Sequence, residues 1–143
     1  MESKQLGVEA VLLILAMLSK DKLAHLNEYA HSLGLETVVE VHTQEELNNL
    51  RGLALDMVGI NNKDILDLER GEDQIIPTQL LAPLLPEGGV IVISESGIRN
   101  EEDVRKVIAN GADAILVGTA FMVSKEPAAT VASFVHALGE PND

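Results

Sequence analysis

Five short runs rich in Val, Ile and Leu, each closing on a small polar cluster, constrain this chain more than any other feature. The clusters are Glu40-Val41-His42, Asn61-Asn62-Lys63, Ser94-Glu95-Ser96-Gly97 and Gly118-Thr119, with a plainer Met17-Leu18-Ser19 before them. A strand that is apolar on both faces belongs inside a parallel sheet covered by helices. Ligands of such sheets gather at the carboxyl ends of the strands, where these polar residues fall. The repetition predicts one site assembled from several distant segments.

Between the runs the period changes to that of helices. Ala10 to Ala16 is the first strand, and Leu23, Leu26, Ala30 and Leu33 then recur at helical spacing until Gly34 stops them. Thr37 to Val41 is the second strand. Thr43 and Glu46 make a capping-box pattern that opens a helix to roughly Leu50. Asp56 to Ile60 is the third strand. Asp64 to Glu72 reads as polar turns, followed by a helix from roughly Gln74 to Leu84 that contains Pro77 and Pro83. A turn over Pro86 to Gly89 leads into the fourth strand, Val90 to Ser94. Asn100 caps a helix bearing Val104, Val107 and Ile108, with three acids in its first turn and Gly111 at its end. Ala114 to Val117 is the fifth strand, and Pro127 opens a last helix to roughly Leu138. The fold class is α/β, a parallel βα repeat of about five units, read as a single domain over residues 1–143. Strand-to-strand spacings of about 20 to 35 residues suit right-handed crossovers. An open doubly wound sheet and an arc of a barrel both satisfy this pattern.

Charge narrows the partners. The 23 acidic against 10 basic residues give a formal charge of −13, which disfavours nucleic acid and anionic membrane surfaces. Any anionic ligand must then be attracted locally, by backbone N–H groups and helix ends. Cysteine is absent, so there is no disulfide and no thiolate metal site. An intracellular, cytoplasmic location fits. The start Met1 to Leu6 is too polar for a secretory signal. The run Val8 to Leu18 contains Glu9 and is shorter than the about 20 residues that span a bilayer.

Ser94-Glu95-Ser96-Gly97-Ile98-Arg99 is the most specific segment. A glycine directly after a strand lets an oxyanion approach the backbone, and a small hydroxyl adds a hydrogen bond. Gly118-Thr119 supplies a second such end one unit later. Together the two favour a phosphate site over a pair of tight turns. Glu40 interrupts an apolar strand, where a carboxylate is costly unless it is paired or used. It is either a proton-transfer group with a raised pKa or a structural Glu bonded to a neighbouring Lys. Glu95 carries the same two readings, weighted towards support. Asn61 and Asn62 can orient a substrate or shape a turn, and Lys63 can neutralise an acid. His42 has no second ligand at metal spacing. His25, His31 and His136 fall on helices and read as solvated, and Met17, Met57 and Met122 read as core filling.

Taken together, Gly7 to Ile14, Val39-Glu40-Val41-His42, Val58-Gly59-Ile60-Asn61-Asn62-Lys63, Ser94 to Ile98 and Ile115 to Met122 resemble the C-terminal part of indole-3-glycerol phosphate synthase. The resemblance implies a partial TIM (βα)8 barrel, strands four to eight, and lyase chemistry of tryptophan biosynthesis. The family closes a carboxyphenylamino-deoxyribulose phosphate to an indole with loss of carbon dioxide and water, so the resemblance implies no cofactor and no metal. Carried over, Glu40 does acid/base work and Asn61 positions the substrate. Lys63, Glu95 and Ser96 bind substrate, and Gly97, Gly118 and Thr119 hold the phosphate. The family has Arg where Lys63 stands, and residues 64–80 depart from its usual sequence. Its essential lysines lie on strands one and three, outside the matched segments, so turnover by this chain alone is expected to be low. The bare edge strands predict self-association or pairing with an N-terminal half-barrel. The competing readings are another phosphate-binding barrel enzyme, such as a sugar-phosphate isomerase or aldolase, and a non-catalytic phosphate-binding or assembly module.

Overall fold

The computed structural model describes residues 2–63, 75–85 and 89–139. A short helix α1 (Glu2–Gln5) leads into β1 (Ala10–Ile14), α2 (Lys20–Ser32), β2 (Glu36–Val41), α3 (Gln44–Asn49) and β3 (Met57–Asn61). Then come α4 (Ile76–Leu81), β4 (Ile91–Glu95), α5 (Glu101–Ala109), β5 (Ala114–Leu116), α6 (Thr119–Val123) and α7 (Pro127–Gly139).

Local chemistry sets most of these boundaries. The Ser19 hydroxyl accepts from the Lys22 N–H at 3.3 Å to start α2. Thr43 and Glu46 satisfy each other's backbone as a capping box on α3, and Asn100 Oδ1 accepts from the Asp103 N–H at 2.9 Å on α5. Gly34 and Gly111, at φ +67° and +99°, turn the chain out of α2 and α5 in the left-handed region. The helix expected to reach Leu84 divides instead. It is α-helical to Leu81 and tightens to a 3-10 turn over Ala82–Leu84, since Pro83 has no N–H to continue the ladder. The expected turns over Asp64 to Glu72, the helix start at Gln74 and most of the turn from Pro86 lie outside the described residues.

Among the described residues the five strands form one parallel sheet in the order β1-β2-β3-β4-β5. A doubly wound sheet reverses its strand order midway and carries helices on both faces; among the described residues this one does neither. Val39, Val41, Val58, Ile60, Val92 and Ser94 point to one face and are almost wholly buried. They pack under Leu23 of α2, Leu47 of α3 and Leu81 of α4. A second cluster, with Val104 and Val107 of α5 and Phe134 and Ala137 of α7, covers Ile115 at the β5 end. There the rings of Phe121 and Phe134 meet edge to face, 5.2 Å between centroids. The opposite face carries a row of Leu12, Val38, Met57 and Ile91 in register, and above it Ile14, Glu40, Gly59, Ile93 and Ala114. Leu12, Ile91 and Leu116 are each about half exposed. This is an arc of a βα barrel, apolar within and helix-covered without.

Two expectations about single residues are corrected. Met17 and Met122 are 77% and 86% exposed, not core. Met17 lies in the 3-10 turn beyond edge strand β1, and Met122 lies on α6 beyond edge strand β5. His31 is not simply solvated, for its Nε2 lies 2.7 Å from Asp56 Oδ2. No helix among the described residues is long and apolar enough to cross a membrane.

Candidate active site

The carboxyl ends of β2, β3 and β4 bring an amide and two carboxyl groups together on the inner face. Glu40 is 7% exposed and Glu95 6%. Asn61 donates from Nδ2 to Glu40 Oε1 at 3.1 Å, while its Oδ1 accepts from the Lys63 N–H at 3.0 Å. The amide is therefore held at both ends, with its donor aimed at the carboxylate. Beside it, the Glu95 carboxyl reaches over Gly59, where a Cβ would stand 2.8 Å from Glu95 Cδ. Glu95 ionises only near pH 7, because burial disfavours its charge, the Glu40 charge repels it, and a hydrogen bond joins the two side chains. Two carboxyl groups with one proton between them can give a proton at one oxygen and accept one at another.

Asn62 points the other way. Its Nδ2 shares two N–H bonds among Ser94 Oγ, Glu95 O and Ser96 O, each at 3.0 Å. Its Oδ1 accepts from the N–H and hydroxyl of Thr78 at 3.1 and 2.8 Å. The Thr78 and Ser94 hydroxyls meet at 2.7 Å. This buried knot fixes the loop that follows β4. Within that loop Ser96 adopts φ +62° and Gly97 φ +70°. Gly97 adopts that region freely, but Ser96 is strained there and is maintained by firm anchoring of the loop.

The loop borders a cavity of about 570 Å³ between the ends of β4 and β5. Lys63, Ser96, Gly97, Arg99, Gly118 and Thr119 line it, with apolar walls from Ile98, Leu116 and Val123. The strongly acidic chain thus places two cations and glycine-rich backbone at one opening.

The residues singled out from sequence all stand on this rim, but they separate into two groups. Glu40, Asn61 and Glu95 form the buried cluster, whereas Lys63, Ser96, Gly97, Gly118 and Thr119 line the cavity. Adjacency along the chain, at Asn61 to Lys63 and at Glu95 to Ser96, links the two. Asn62 and Asn61, paired in the sequence reading, do different things. Sequence reasoning missed Gly59, whose signal was a glycine inside an apolar strand, a common mark of close approach. It also gave no weight to the buried imidazole of His42, 3.4 Å from Glu40 Oε1.

The family model for indole-3-glycerol phosphate synthase matches residues 1–134. An indole-3-glycerol phosphate synthase of Pyrococcus furiosus is 43% identical over 136 residues, 95% of this chain and 58% of that protein. One from Lachnospira eligens is 34% identical, over 93% of this chain and 50% of that protein. The chain thus spans about half the length of these relatives. Among solved structures, 3-hexulose-6-phosphate synthase from Salmonella typhimurium superposes with a TM-score of 0.77 at 17% identity, covering 96% of this chain and 66% of that one. A thiamine phosphate pyrophosphorylase from Pyrococcus furiosus gives 0.71 at 17%, over 95% and 62%. At that identity the likeness is one of fold.

Proposed function

The chain belongs to the indole-3-glycerol phosphate synthase family, and from that premise we propose that it carries the phosphate cavity and the acid/base carboxylates of such an enzyme. The reaction is closure of a carboxyphenylamino-deoxyribulose phosphate to an indole, with loss of carbon dioxide and water. In this reading residues 1–143 are one cytoplasmic domain, supplying strands four to eight of the barrel. The strands that carry the family's lysines are those of an N-terminal half-barrel, outside these residues. Gly97, Gly118 and Thr119 offer backbone amides to the substrate phosphate, with Lys63 at the cavity mouth and Ser96 contacting neighbouring polar groups. Losing water from the closed ring requires a proton at the departing hydroxyl and a base for the proton removed. Glu95 holds a proton near neutrality and Glu40, oriented by Asn61, takes one up.

The observation that carries this reading is the meeting of Glu40, Glu95 and Asn61 over Gly59, beside a cavity lined by lysine, arginine and glycine backbone. The test mixes the chain with the N-terminal half of the Pyrococcus furiosus relative and measures indole product. The chain alone should give little; the mixture should turn over. Glu40→Gln in the mixture should lower turnover by about 100-fold or more, the usual worth of an acid/base group. Undiminished output would remove Glu40 from the chemistry. Failure of every mixture, with phosphate still bound, would point to a non-catalytic anion-binding module.

A further inference from the structure

Among the buried side-chain nitrogens and oxygens of the described residues, those without a hydrogen-bond partner are the two ring nitrogens of His42. Buried polar atoms are nearly always satisfied, so an exception needs a physical reason. The His42 side chain is 11% exposed and sits just beyond β2, two residues from Glu40. Its Nε2 lies 3.4 Å from Glu40 Oε1, and its Nδ1 lies 3.7 Å from Glu46 Oε2 on α3. Both carboxylates are already anchored. Glu40 Oε1 accepts from Asn61, and Glu46 Oε2 accepts from the backbone N–H groups of His42 and Thr43 at 2.6 and 3.2 Å. The ring is thus held between two carboxylates, within ion-pair range of each but hydrogen-bonded to neither.

A neutral imidazole has one N–H and gains little there. An imidazolium has two, one for each neighbour, and small movements of the ring would close both contacts. The groups that face it are Glu40 on its own strand, Glu46 on α3 and, through Glu40, the Glu95 carboxyl on β4.

We propose that His42 is a positioning residue for the Glu40–Glu95 pair: as imidazolium it donates to Glu40, keeps that carboxylate ionised, and leaves the shared proton on Glu95. No bond is made or broken beyond one proton moving between ring nitrogen and solvent. The proposal rests on reading Glu40 as the acid/base carboxylate, yet its test requires no turnover.

The experiment is carbon-13 and nitrogen-15 NMR titration of the chain itself, following the Glu40 and Glu95 carboxyls and the His42 ring. In the wild type the ring should titrate together with the carboxyls. In Glu40→Gln the His42 midpoint should fall by about one unit, the usual worth of an opposite charge at this range. In His42→Gln the lower of the pair's two ionisation steps should rise by a similar amount. A His42 midpoint that does not move in Glu40→Gln would overturn the proposal, and so would a ring that stays neutral throughout. His42→Asn is the second variant should the glutamine form fail to fold. If instead the titrations couple as stated but Glu40→Gln leaves indole output unchanged in the complemented barrel, the assigned chemistry fails while the electrostatic link stands.

Discussion

Gly59 decides where Glu95 lies. Any side chain there would displace the Glu95 carboxyl from its place over β3, and the carboxyl would no longer rest against Glu40. A consequence is an unusual pH dependence. Glu95 ionises near pH 7 in the folded chain, against an ordinary 4.5. Between those values the folded state holds a proton that the unfolded chain has released, so this group's contribution to stability falls as pH rises. The difference in urea midpoint between wild type and Glu95→Gln should therefore shift against the wild type from pH 5 to pH 8. A constant difference would refute the raised ionisation. Asn62 makes a separate case, because its amide serves five polar groups of β4, the loop after it and α4. Asn62→Ala should cost about 2 to 3 kcal/mol in denaturant unfolding, as loss of a buried hub leaves several groups unsatisfied. Sequence showed that Glu40, Asn61 and the Ser96-Gly97 and Gly118-Thr119 ends belong on one rim. It did not show which neighbour each side chain faces. Asn61 and Asn62 are adjacent and alike in composition, and only the alternation of strand faces sends one to Glu40 and the other into the helix layer.

Opposite the rim, a polar clamp ties three elements together. Asp56 Oδ2, just before β3, accepts from the Thr37 N–H of β2 at 2.8 Å and lies 2.7 Å from His31 Nε2 of α2. The Thr37 hydroxyl donates to Asn27 Oδ1 at 2.7 Å, and Asn27 Nδ2 donates to Ala54 O at 2.8 Å. Partial burial pushes the Asp56 carboxyl up, but the His31 ring and the Thr37 N–H and hydroxyl outweigh it and hold it below its ordinary 3.8. A lowered carboxyl contributes stability above its unfolded value and loses it as pH falls through the folded one. Asp56→Ala should thus cost about 1 to 3 kcal/mol at pH 6, and the gap from wild type should narrow towards pH 3 in thermal unfolding. A gap that widens in acid would contradict the sign. None of this clamp was readable in the sequence, where His31 is one polar residue on a helix and Asp56 the first residue of a run. The element pattern itself was readable, since Thr43 with Glu46, Asn100 and Gly34 act locally. The choice between arc and doubly wound sheet was not. Periodicity tells which residues avoid water, but an apolar barrel interior and a second helix-covered face read alike.

At the scale of the molecule, the described helices cover one face of the sheet, and the other, below its carboxylate rim, is apolar. Leu12, Val38, Met57 and Ile91 run across it in register, and β1 and β5 each pair on one side only among the described residues. Apolar surface of this kind, bounded by unpaired parallel edges, favours association. The formal charge of −13 opposes it, because two copies repel across any shared interface. Salt decides between them: the screening length falls from about 8 Å at physiological ionic strength to about 3 Å at 1 M, while burial of apolar area is undiminished. Sedimentation velocity should therefore show association that grows with concentration and with salt. Leu12→Lys together with Ile91→Lys should abolish it, since both side chains are half exposed and neither supports the helix-side core. The N-terminal half of an intact relative should compete, because its strands would pair with the same edges and close over the same face. A chain that stays monomeric at high concentration in 1 M salt, and that binds no N-terminal half, would mean that the open face is tolerated in water, and the half-barrel reading of the assembly would fall with it.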